Sequence, residues 1–239
     1  MTRTEEQAWH KKGRAYSDTF LDKVRVRQVL KKRKKAEESG TAVKLTKRQQ
    51  FLDSYVDRLS QLESTCARLK RFPIFLSSNH AALERRGISR VSQFVYHVEN
   101  YLAVIYIFDQ RVRRLSGFIE KLAKKHSCTQ VDVQNLMTAR KDLVASVEPL
   151  VVIRGSHTHE KYFQDDQIDE MLKYDKASDF ATTPADKKIF KNLAKTSLAL
   201  QRRRWKKDIN SDIHKCEIQM GVLYEALDKL VWQIYKKIK

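Results

Sequence analysis

The sequence predicts an all-α protein, an up-down bundle of long helices with a basic N-terminal helical extension. Three observations carry this expectation. The chain has 239 residues but only 6 Gly and 3 Pro, where average usage would give about 17 and 12. Sandwiches, barrels and doubly wound α/β folds need many turn residues, so the shortage argues against all three. Apolar residues recur at spacings of three and four, the period of a half-buried helix. Hydrophobic residues make up 41% of the chain, enough to fill a core and to exclude wholesale disorder. No period of 20–50 residues repeats, which argues against a helical solenoid.

The elements follow in order. Residues 15–38 space Tyr16, Phe20 and Val24 for a helix that continues into LKKRKKAEE and ends at Gly40. Thr46 and Gln49 form a capping-box pattern. It opens a helix through Leu52, Tyr55, Leu59, Leu62, Cys66 and Leu69, with Pro73 as its stop. Residues 74–87 read as a short helix and a turn at Gly87. One long helix is expected over 89–126, carried by Val91, Val95, Val98, Leu102, Ile105, Val112, Leu115, Ile119 and Leu122. Ser127 breaks it, and Thr129 with Asp132 caps the next, which passes Val133, Leu136, Leu143 and Val147 and has Pro149 near its end. A further helix runs through Ile168 and Leu172, and residues 175–182 read as a loop. Thr183, Pro184 and Asp186 then supply an N-cap, a first-position proline and a first-turn acid.

The last stretch sets Ile209, Ile213, Cys216, Met220, Leu223, Leu227, Leu230 and Ile234 at alternating spacings of four and three. That is a coiled-coil seam, to be filled within the monomer or across a dimer. Tyr101 to Phe108 is apolar over more than one helix face and must be buried on more than one side, by this chain or by a second copy. The expected division is a basic helical extension over 1–43 and a helical bundle over 44–239.

The net charge is +19, from 48 Lys and Arg against 29 Asp and Glu. Residues 1–50 carry 15 basic and 6 acidic groups, residues 151–200 eight of each, and residues 201–239 ten basic and five acidic. A basic surface of this size favours a polyanion, with nucleic acid first among partners. The densest runs are Lys31, Lys32, Arg33, Lys34 and Lys35, and then Arg202, Arg203, Arg204, Lys206 and Lys207 around Trp205. They are candidate phosphate contacts, with Trp205 placed to stack on an unpaired base. A solvated lysine-rich face is the plain alternative. Cys66, Cys128 and Cys216 form no CxxC pair, which excludes a zinc ribbon or thioredoxin-like motif and suits a reduced, cytoplasmic setting. The N-terminus has no apolar signal-peptide core. The longest apolar run, about eight residues, falls well short of the roughly 20 of a membrane span.

One cluster stands out: Arg154-Gly155-Ser156-His157-Thr158-His159-Glu160, directly after the apolar run Leu150 to Ile153. His97, His126 and His214 are isolated and read as structural or solvated. The cluster admits three readings. It is a polar loop without function, or a metal site using His157, His159 and a later acid such as Asp165 or Asp166, or a catalytic motif. No third metal ligand is fixed by spacing, so no metal is assigned. RNA cleavage by its own 2′-hydroxyl needs a base, an acid for the leaving 5′-oxygen and a cation on the pentavalent phosphate. Histidine titrates near neutrality, and arginine offers a fixed fork of donors that matches phosphate oxygens. On an unbroken helix a five-residue offset separates positions by about 140°. Arg154 and His159 therefore converge only where the backbone bends, which Gly155 permits.

Arg154 and His159 are separated by four residues, and in this the cluster resembles the R-x4–6-H motif of the HEPN (higher eukaryotes and prokaryotes nucleotide-binding) domain family. The resemblance spans roughly residues 88–175, with helices over 184–239 in support. Gly155 stands where many members have Asn or Asp. Lys161 stands where the nucleotidylation-target subgroup has tyrosine, with Tyr162 one place later. The resemblance implies an all-helical bundle acting as a metal-independent endoribonuclease without cofactor, in a toxin or defence setting. RNA would be its substrate, and an antitoxin or other protein a partner. Arg154 would stabilise the phosphate and His159 would act as acid or base, with Ser156, His157 and Thr158 as secondary polar contacts. It also implies a homodimer that joins two Arg–His sets in one composite site. A non-catalytic helical protein that binds nucleic acid or a partner is the alternative, and a structural coiled-coil oligomer a third.

Overall fold

The computed structural model describes residues 38–40, 45–78, 80–159 and 165–238, with backbone alone for 154–159. The basic run Lys31 to Lys35 and all but the last residue of the helix expected over 15–38 lie outside these residues. Among the described residues there are helices and turns and no strand. The chain is all-α, as composition and period predict. The helices are α1 (Lys47–Leu69), α2 (Phe72–Ser77), α3 (Ala81–Glu84), α4 (Arg90–Lys125), α5 (Gln130–His159), α6 (Asp166–Phe180) and α7 (Pro184–Lys237).

Local chemistry sets most of the boundaries. The Thr46 amide donates to Gln49 Oε1 at 3.1 Å and the Gln49 amide to Thr46 Oγ1 at 3.3 Å, a reciprocal capping box that starts α1. At the head of α7, the Asp186 amide donates to Thr183 Oγ1 at 3.1 Å, and that hydroxyl donates to the Asp186 carboxylate at 2.7 Å. Ser127 closes α4 in the left-handed region at φ 50°, and Gly40 and Gly87 turn the chain at φ 63° and 83°. Thr129 and Asp132 do flank the start of α5, but their side chains do not pair with each other. Gln233 of α7 lies between them: it accepts from the Thr129 amide at 3.1 Å and donates to Asp132 at 2.6 Å.

Three boundaries differ from expectation. Helix α1 ends at Leu69 without Pro73, which instead sits in the first turn of α2, where a missing N–H leaves no bond unmade. Pro149 does not end its helix: α5 continues through it to His159. The loss there is one i to i−4 hydrogen bond, and the helix resumes beyond it. Residues 175–180 are the last turns of α6 rather than a loop. Ser178 bonds back to the Asp175 carbonyl at 2.7 Å, and Asp175 accepts from Ser89 at 2.6 Å.

The chain forms two compact units. Among the described residues the first comprises 38–40, 45–62, Arg111–Leu143 and 218–238. Its core holds Leu52, Tyr55, Leu62, Leu115, Ile119, Leu136, Leu143, Leu223, Leu227, Leu230 and Ile234, all nearly inaccessible. Arg48 of α1 donates to the Ile238 carbonyl at 2.7 Å, and Lys237 to the Ser127 carbonyl at 2.7 Å, tying the helix ends together.

Glu120 of α4 links two helices in this unit, accepting from Lys124 at 2.7 Å and from Arg140 of α5 at 2.8 Å. The Lys124 hydrogen bond and then Arg140 hold its carboxyl below the ordinary value of 4.5, outweighing the opposing effect of burial. A carboxyl with a depressed folded pKa adds stability above its unfolded value and loses it as pH falls through the folded value. Glu120→Gln should therefore lower the urea midpoint at pH 7 and match the wild type once the medium is acidic enough to protonate Glu120 in both states. Urea titrations across that range test this, and a gap that stays constant with pH would contradict it.

Among the described residues the second unit comprises 63–78, 80–110, 144–159 and 165–217. Its core gathers Phe72, Leu76, Phe94, Val98, Tyr101, Leu102, Ile105, Phe108, Ile168, Met171, Leu198 and Ile209. Phe72 meets Tyr101 edge to face, with centroids 5.5 Å apart, and Lys70 pairs with Glu217 at 2.6 Å. The apolar stretch Tyr101 to Phe108 is covered by the chain itself, as is most of the seam from Ile209 to Ile234. Neither is left open as a dimer surface.

Candidate functional site

Helix α5 carries the Arg154 to His159 motif on its last turns, and the backbone stays helical to His159. There is no bend at Gly155 to draw positions 154 and 159 together. On this helix they lie about 140° apart around the axis. The side chains of Arg154, Gly155, Ser156, His157, Thr158 and His159 lie outside the described ones. Just before them, Val152 is 64% exposed.

The approach to α6 is built around Asp165. Its carboxylate accepts from the Gln167 and Ile168 amides at 3.1 and 3.2 Å, the N-cap of α6. It also pairs with Arg204 of α7. Gln167 accepts from Arg204 as well, and from Gln201 at 2.8 Å. Asp165 is thus engaged in capping and in an ion pair, which weighs against the metal-ligand reading offered for it. No group of three or more potential metal-ligating side chains occurs among the described residues.

The second basic run divides. Arg203, Lys206 and Lys207 are exposed on α7, available to a polyanion. Arg204 is held by Asp165 and Gln167 and fixes α6 against α7. Trp205 is buried at 8% exposure and does not present its ring to an unpaired base. It lies in phase with Ala194, Leu198, Gln201 and Ile209, all buried, at spacings of three and four that put them on one face. That phase was available in the sequence by extending the seam back four residues from Ile209. The Arg202 guanidinium is half-buried, and desolvation and then Arg90 push its pKa down from the usual arginine value.

Several other titratable groups are shifted by burial. His97 stacks on Phe75 with ring centroids 5.8 Å apart, and burial first, then His80 and Arg202, lower its pKa. Burial pushes the thiols of Cys66 and Cys216 up to about 12, so neither offers a thiolate nucleophile at neutral pH. The Tyr101 hydroxyl donates to Asp212 at 3.2 Å. Burial foremost raises the Asp212 carboxyl above its usual range.

Fold and charge together define a basic all-helical protein with a polar Arg–His cluster near the end of one long helix. No protein-family model matches the chain, and no curated protein and no solved structure matches it. Among the described residues, no helix is long and apolar enough to cross a membrane.

Proposed function

We propose that the protein is a metal-independent endoribonuclease of HEPN-like kind, with a working site shared between two copies. The observation that carries the reading is Arg154-x4-His159 on the last turns of α5, in an all-helical chain of net charge +19. The helical offset between positions 154 and 159 favours the shared site. One copy presents them on different sides of α5, and a symmetric copy supplies the complement. Helix α7 adds support. Ile189, Leu193 and Leu200 are exposed there, at spacings of four and seven that keep them on one face. An exposed apolar stripe of that kind suits a contact with another copy. In this reading Arg154 steadies the phosphate, and His159 moves the proton from the 2′-hydroxyl or to the leaving 5′-oxygen.

The second reading, binding without cleavage, is favoured by the exposed Arg203, Lys206 and Lys207. One experiment separates the two. Purified protein is incubated with mixed RNA in EDTA and the new ends are analysed. Products ending in 2′,3′-cyclic phosphate support the ribonuclease. Cleavage only on adding a divalent metal refutes it, and salt-sensitive binding with intact RNA leaves the second reading in its place.

A further inference from the structure

We propose that the cleft between α1 and α4 in the first unit is a phosphate-binding site, one that does not depend on Arg154 or His159. It has a volume of about 160 Å³ and is lined by Asp57, Arg58 and Gln61 of α1 and by Arg111 and Arg114 of α4. Three arginines and one aspartate line it, so the lining is net cationic.

Two of the guanidiniums are held in place. Arg58 lies over the Phe118 ring, 4.2 Å from its centroid, and donates to the Ser54 carbonyl at 2.8 Å. Arg111 reaches across from α4 to the Gln61 carbonyl at 2.5 Å. Arg114 is exposed. The Asp57 carboxylate accepts from Gln61 at 3.0 Å, on its own helix. Guanidiniums fixed before a ligand arrives lose little freedom on binding, and their planar forks match phosphate oxygens. Gathering three like charges raises the energy of the empty cleft, and an anion relieves it.

Size narrows the ligand. The volume is about five times a water molecule's share of the liquid, room for one phosphate and some hydration. Pockets that enclose a whole drug-sized ligand are larger, about 300–1,000 Å³. The cleft therefore grips a single phosphate of a larger molecule, either an internucleotide phosphate of RNA or a terminal phosphate of a nucleotide.

Calorimetric titration at constant ionic strength tests this with three probes: inorganic pyrophosphate, ATP, and a 2′-O-methyl RNA octamer that cannot be cleaved at its own hydroxyl. The proteins are wild type, Arg114→Gln, Arg111→Gln and Lys141→Gln, the last an exposed charge on α5 that does not line the cleft. Arg114→Gln should weaken binding by at least about fivefold, the loss of one charged hydrogen bond. Lys141→Gln should change it by less than about twofold, the small effect of a distant screened charge. Arg111→Gln should weaken it too, and its urea midpoint is measured alongside because the bond to Gln61 also goes. If only the RNA arm responds, the source is backbone phosphate; if pyrophosphate and ATP respond, it is a nucleotide. No binding of any probe up to about 10 mM, or an equal loss in Lys141→Gln, overturns the site. The uncleavable probe keeps the result separate from any outcome at Arg154 and His159.

Discussion

His159→Ala is expected to lower the rate of RNA cleavage in EDTA by about 10²–10⁴, the usual contribution of a positioned general acid or base. His157→Ala should have a much smaller effect, because the second histidine falls outside the Arg–His spacing. Arg154→Ala should also be severe, since in the proposed site it removes the cation that would meet charge developing on the phosphate. The helical offset makes the two residues separable in a way that a single-chain site would not. Mixing Arg154→Ala with His159→Ala subunits should restore part of the activity, because one of the two symmetric half-sites then keeps both groups. Leu193→Asp with Leu200→Asp should reduce the mass in light scattering and abolish cleavage together. Both leucines are exposed, so the fold should survive. A monomer that cleaves at full rate would remove the shared site. Wild-type activity in His159→Ala would remove the catalytic role.

Trp205→Ala is expected to destabilise the protein by about 3–5 kcal/mol, the range for removing a large buried aromatic side chain. The indole is 8% exposed and in phase with Leu198 and Ile209. Its loss leaves a cavity that the surrounding helices fill only in part. Trp205→Phe should recover much of the loss. Urea denaturation measures both. Stacking on a base, the role its place in the run RRRWKK suggests, predicts the opposite pattern: unchanged stability and weakened binding to single-stranded RNA.

Trp205 also shows where sequence reading succeeds and where it fails. The caps at Thr46 and Thr183 and the break at Ser127 were legible because their partners lie within three or four residues. Local chemistry decides them. The burial of Trp205 is masked in the sequence by its charged neighbours, because the run RRRWKK hides the apolar phase that passes through it. Burial there is decided by helices far away in sequence. Pro149 and residues 175–180 depart from the sequence expectation for a related reason: a proline or a polar stretch lowers helix propensity by a few kcal/mol at most, and tertiary packing overrides it. The cleft of Arg58, Arg111 and Arg114 gave no signal at all. Its charges come from positions about 50 residues apart, and only the pairing of α1 with α4 brings them together. Arg154 and His159 stand in the sequence as a spacing alone, and their helical offset on α5 came only with the structure.

The interleaving of the two units bears on how the protein is made. Each unit draws on stretches separated by many tens of residues, so no single cut in the gene would yield either unit as an intact fragment. The ribosome releases the chain from its N-terminal end. The second unit has all its segments once residue 217 has emerged, but the first must wait for residues 218–238, which supply Leu223, Leu227, Leu230 and Ile234 to its core. Until then the apolar faces of α1, α4 and α5 that those residues cover stand open to solvent. Long-range closure of this kind is slow and leaves nascent chains prone to aggregate. A stalled or C-terminally truncated product should therefore be a client for chaperones rather than a smaller working protein.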